Sequence, residues 1–100
     1  MRDIRHPSVN QIALSDVFHA LSDPARLEIV RQLAKEEALT CGQLTPGRPK
    51  SSMSHHFKIL RDAGLITTEL RGREHYNSLR LEDLESRFPG VLVSILSAKE

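Results

Sequence analysis

One hundred residues, 39% of them hydrophobic, form one small domain, since a chain of this size removes only about 60–65% of its unfolded surface from water. With 27% charged residues and a formal charge of +1, it is neither a disordered polyelectrolyte nor a uniformly basic DNA-coating protein. No apolar run approaches the roughly 20 residues that span a bilayer, and the start MRDIRHPSVNQ lacks a secretion signal's apolar core, so a cytoplasmic protein without membrane contact is expected.

A single cysteine, Cys41, offers neither an internal disulfide nor an all-cysteine zinc staple. Stability must come from packing, across a subunit interface as well as within the chain. Charge is uneven along the sequence. Residues 46–80 carry seven Lys/Arg against three Asp/Glu, while the segments on either side are slightly acidic. That asymmetry is expected of a segment facing nucleic acid, although solvated surface charge clusters in the same way.

In chain order, residues 1–7 read as a flexible arm. After Pro7, Ser8 caps a helix to about Leu21, with Val9, Ile12, Ala13, Val17 and Ala20 on one stripe. Leu14, Phe18 and Leu21 lie beside it, and so wide an apolar arc suggests a partner helix. Ser22 or Asp23 caps the next helix, Pro24 occupies its first turn, and Leu27, Val30, Leu33 and Ala34 are its buried stripe. Thr40 caps a short helix that Pro46 and Gly47 stop.

A helix then runs from about Ser51 to Ala63, with Met53, Phe57 and Leu60 inward and Gly64 as its left-handed cap. Two helices joined by a tight turn, the second apolar inside and polar outside, are helix-turn-helix organisation. LITTEL and EHYNSL flank Arg71-Gly72-Arg73 as a hairpin. LEDLESRF forms a short helix or turn, and VLVSIL a terminal helix apolar nearly all round, though a buried strand has the same pattern. The predicted fold class is mainly α with a small β-hairpin.

The segments LSDPARLEIVRQLA, SSMSHHFKILRDAGLI and RGREHYNSL, in this order, resemble the ArsR/SmtB family of bacterial transcriptional repressors over about residues 12–97. The resemblance implies a dimeric winged helix-turn-helix built on its first and last helices. It implies binding of double-stranded DNA at an inverted repeat, with release by an inducer that the sequence does not name. The family's metal-sensing members carry a Cys-x-Cys pair in the stretch matching LTCGQL, but Thr40 and Gly42 occupy those positions here, with Cys41 between them. Others place Asp and His along the terminal helix, where VLVSILSAKE has neither. No metal site and no cofactor are expected.

A duplex reader needs short polar side chains on one helix face with cations around them. Ser51, Ser52 and His55 suit base edges or phosphates, and Lys50, Lys58 and Arg61 suit phosphates. Ser54 fits either a DNA contact or a backbone bond, and His56 reads as structural. Arg71 and Arg73 on the wing suit the narrow minor groove, although charged hairpin tips also serve solubility. Arg26, inside the second helix, reads as a structural ion pair. The expected dimer surface is Ile12, Leu14, Phe18, Leu92, Ile95 and Leu96.

Cys41 reads first as a packing residue and otherwise as a redox sensor. Serines beside histidines on an exposed helix make no catalytic pocket, so no enzyme is expected. A winged helix serving only protein contacts is the rival, and it would show apolar residues where Lys50, His55, Lys58 and Arg71 stand.

Overall fold

A computed structural model describes residues 4–99. Helix α1 spans Leu14–Leu21, α2 Pro24–Lys35, α3 Cys41–Leu44, α4 Lys50–Asp62, α5 Leu81–Arg87 and α6 Val91–Ser97. Strands β1 (Leu39–Thr40), β2 (Ile66–Arg71) and β3 (Glu74–Leu79) form an antiparallel sheet in the order β1-β3-β2. The predicted hairpin is therefore present, with Gly72 at φ 63° in its tip, and VLVSIL is a helix. The strand β1 was not anticipated, because two residues carry no alternation to read. Among the described residues no helix is long and apolar enough to cross a membrane.

The caps follow the local chemistry. Asp23 accepts the N–H groups of Ala25 (2.8 Å) and Arg26 (3.4 Å) at the start of α2. Burial pushes its carboxyl up, but those two bonds and the nearby Arg26 charge hold it below its ordinary value. Thr40 and Gln43 cap α3 reciprocally, at 3.2 and 2.8 Å. Gly64 ends the α4 segment at φ 86°, and a Cβ there would sit 2.5 Å from Cγ1 of Ile12.

The expected first helix is broken. Val9–Gln11 forms one 3-10 turn, and Ile12 (ψ 121°) and Ala13 (ψ 135°) are extended before α1 begins. On a continuous helix Ile12 and Val17 would point about 140° apart, yet both are 1% exposed in one core. The break turns Ile12 inward against Gly64, and its freed carbonyl accepts Arg87 Nε at 2.9 Å. The end of the expected arm, His6 and Pro7, is bonded to the fold. His6 Nε2 accepts the Thr68 N–H at 2.9 Å, and the Pro7 carbonyl accepts Arg80 Nη1 at 2.8 Å. Residues 1–3 lie outside the described region.

The core gathers Ile12 and Val17 with Ile29, Val30 and Leu33 of α2, Met53, Phe57 and Leu60 of α4, Leu65 and Ile66, Leu84 of α5 and Leu92 of α6. Ile29 replaces Ala34 in the expected α2 stripe, Ala34 being exposed. Arg26, Thr68 and Asn77 are the buried polar side chains among the described residues. Asn77, fully buried, accepts from the Thr68 hydroxyl across the strand pair (2.8 Å) and donates to the Leu39 carbonyl (3.3 Å) and to Cys41 Sγ (3.4 Å). This one amide ties β2, β1 and α3 together, as a buried polar group requires.

Candidate nucleic-acid interface

Helix α4 is held by its inward stripe, and its outward side is polar throughout. Ser51, His55, Lys58 and Asp62 recur at steps of four, three and four, so they line one exposed stripe. Lys50, Ser54, Phe57 and Arg61 repeat those steps one residue earlier and line the neighbouring flank, where Arg61 is half-buried rather than outward. Ser52, also exposed, lies near the helix start. Every fully exposed side chain on α4 is hydrophilic.

Hydrogen bonding separates the three serines of the first turns. Ser54 Oγ donates to the Lys50 carbonyl (2.7 Å) and Ser52 Oγ to the Pro49 carbonyl (3.1 Å). As they stand, both hydroxyls present lone pairs outward and must rotate to donate to a phosphate. Ser51 makes no such bond among the described residues. Lys58 pairs with Asp62 at 2.7 Å, both largely exposed, and such a pair is weak enough to yield to a phosphate.

At the hairpin tip Arg71 and Arg73 are exposed. Arg71 donates to Glu69 at 2.9 Å and lies 4.8 Å from the Tyr76 ring centre. The Glu69 carboxylate, through that bond and its charge, holds the guanidinium pKa above its usual value. Arg71 is thus folded against its own strand, and Arg73 has no ionic partner among the described residues.

His56, read as structural, is half-buried and meets Arg26 Nη1 at 3.1 Å. Arg26 is buried, but its partners correct the ion-pair reading. Its Nε donates to the Ala20 carbonyl (2.7 Å) and Nη2 to the His19 carbonyl (3.4 Å), so it caps the α1 C-terminus instead of meeting a carboxylate. Of the expected dimer residues, Ile12 and Leu92 are only 1% and 2% exposed within their own chain. Their burial removes them from any partner surface. Leu14 (38%), Phe18 (49%) and the unanticipated Val93 (48%) are exposed, while Ile95 and Leu96 are half-buried against the core.

Sequence reading passed over Arg48, an exposed cation on the connector just before α4. The cue was available in a basic residue adjoining a polar helix start. No group of three or more His, Cys, Asp or Glu that could hold a metal ion exists among the described residues.

Comparison with known proteins agrees with this arrangement. A family described as a helix-turn-helix domain matches residues 21–69. The chain is 38% identical over 84 residues to the uncharacterized HTH-type transcriptional regulator YceK of Bacillus subtilis, covering 81% of this chain and 84% of that one. It is 38% identical to an arsenical resistance operon repressor of Staphylococcus xylosus, covering 72% and 70% respectively. A crystal structure of an ArsR family transcriptional regulator shares the fold at TM-score 0.68 and 22% identity, over 86% of this chain and 98% of that one. With its helix-turn-helix, three-stranded wing and these relatives, the chain belongs to the ArsR/SmtB family of winged helix-turn-helix transcriptional regulators.

Proposed function

We propose that the protein is a homodimeric repressor that binds an inverted repeat in double-stranded DNA and acts without catalysis. The observation that carries this reading is the hydrophilic outer face of α4, from Ser51 to Lys58, with Lys50 and Arg48 at its start. Placed in the major groove, Ser51, Ser52 and His55 reach base edges, and Lys50 and Lys58 reach phosphates. Arg73, and Arg71 once it leaves Glu69, serve the minor groove beside it. A protein-contact module would need apolar residues at Lys50, His55, Lys58 and Arg71, and these are exposed and charged or polar.

Leu14 and Phe18, one helical turn apart on α1, supply an apolar surface for a second copy, and Val93 of α6 is likewise exposed. Two-fold related reader helices then meet half-sites about 34 Å apart. The test is selection of bound sequences from a random DNA pool, followed by competition with unselected DNA. Recovery of a palindromic site preferred about a thousandfold or more supports the reading. Equal affinity for all sequences refutes it.

A further inference from the structure

The flank of α4 beside its outward stripe opens onto a cavity of about 390 Å³, walled by α3, the connector, α4 and β3. That volume lies within the roughly 300–1,000 Å³ of small-molecule sites. Its apolar lining is Met53 and Phe57 with the half-buried Ile4. Arg48, Lys50 and Arg61 line it too, and no carboxylate does. None of these three cations has an ionic partner among the described residues.

We propose that this cavity binds a small organic acid, with its apolar body against Met53 and Phe57 and its carboxylate among Arg48, Lys50 and Arg61. Three cations around one hollow repel each other and favour an anion. A bare inorganic anion leaves the apolar floor wet, and a neutral apolar molecule leaves the cations without a counter-charge. A metal cation is repelled. Lys50 begins the reader helix and Arg48 adjoins it, so a bound carboxylate competes with DNA phosphates for the same charges, and DNA must weaken acid binding by the factor that acid weakens DNA binding. This coupling rests on the DNA-binding function proposed above, whereas the binding itself does not.

Cys41 is the chain's sole cysteine and lines the cavity. Its alkylation by iodoacetamide, followed by intact mass in the absence of DNA, therefore reports occupancy. Phenylpropionate should slow alkylation, by about tenfold at ten times its Kd, while phenylpropionamide and inorganic phosphate should not. Gly42 also lines the cavity, and a Cβ there would meet nothing within 4 Å. Gly42→Phe should fill the space and abolish the slowing while leaving DNA affinity intact, and Arg48→Ala with Arg61→Ala should weaken it about tenfold or more. No slowing by phenylpropionate, equal slowing by the amide, slowing by phosphate alone, or slowing retained in Gly42→Phe overturns the site. In fluorescence anisotropy with the selected DNA, phenylpropionate should weaken binding by wild type and not by Gly42→Phe. Protection of Cys41 with unchanged DNA affinity overturns the coupling, whereas a ligand-free protein that binds no DNA counts against the repressor reading and leaves the alkylation result standing.

Discussion

Arg26 and His56, thirty positions apart in the chain, meet at 3.1 Å between Nη1 and Nδ1. A guanidinium has donors and no acceptor, so Nδ1 must present its lone pair and the imidazole proton sits on Nε2. The same guanidinium takes the Ala20 and His19 carbonyls at the end of α1. One side chain of α2 thus joins the helix that carries Phe18 to the helix that carries the reader face.

Removing it leaves buried acceptors without donors. Arg26→Ala should lose about 2–3 kcal/mol, lowering Tm by roughly 8–24 °C for a domain of this size. Arg26→Lys should restore little, because a point charge cannot fork to three acceptors. Thermal unfolding followed by circular dichroism checks both, and an unchanged Tm in Arg26→Ala would show that the junction contributes nothing.

Gly64 faces two constraints at once, a φ of 86° and Ile12 Cγ1 at 2.5 Å from any added Cβ. Gly64→Ala should therefore destabilise by about 2–4 kcal/mol, combining left-handed strain with overpacking. Adding Ile12→Ala should cost less in the Gly64→Ala background than in the wild type, since it removes the clashing γ carbons and not the φ. Urea titration of the single and double variants separates the two contributions.

His6 gives the fold a pH dependence. Its Nε2 accepts the Thr68 N–H, so only the unprotonated ring fits; burial first, then the Arg80 and Arg61 charges, hold its pKa below 6.5. A histidine whose folded pKa is depressed contributes stability that is fully present above its unfolded value and lost as pH falls through the folded one. Unfolding free energy should decline from about pH 6.5 downward more in wild type than in His6→Gln. Identical pH profiles for the two proteins would refute this assignment.

On the DNA side, replacing His55 or Ser51 by Ala should relax sequence preference. Lys58→Ala or Arg73→Ala should weaken all sequences alike and lower the salt slope by about one. Ser54→Ala should do least, since its hydroxyl already serves the Lys50 carbonyl. Anisotropy titrations across a salt series distinguish the three classes.

The dimer should respond differently to two kinds of substitution. Phe18→Glu should give folded monomers in sedimentation analysis, because Phe18 is half exposed, whereas Leu92→Glu should unfold the chain by burying a charge in its own core. Wild type sedimenting as a monomer at micromolar concentration would end the homodimer proposal.

Much of this protein is written in neighbouring residues. The Asp23-Pro24 start of α2, the Thr40 cap of α3, the inward Met53, Phe57 and Leu60, Gly64 and the Arg71-Gly72-Arg73 tip were legible because each depends on contacts within about four residues. The outward face of α4 was legible for the same reason. Tertiary structure alone decided the rest. It broke the first helix so that Ile12 could meet Gly64, drew Leu92 into the chain's own core, added β1 against β3, and gave Arg26 two carbonyls and an imidazole in place of a carboxylate. It also set Arg48, Lys50 and Arg61 around one hollow. The Arg26 bond to Ala20 spans 6 positions of sequence and its contact with His56 spans 30. Local propensity carries no record of such pairings, because they arise only when packing the whole apolar surface fixes which segments touch.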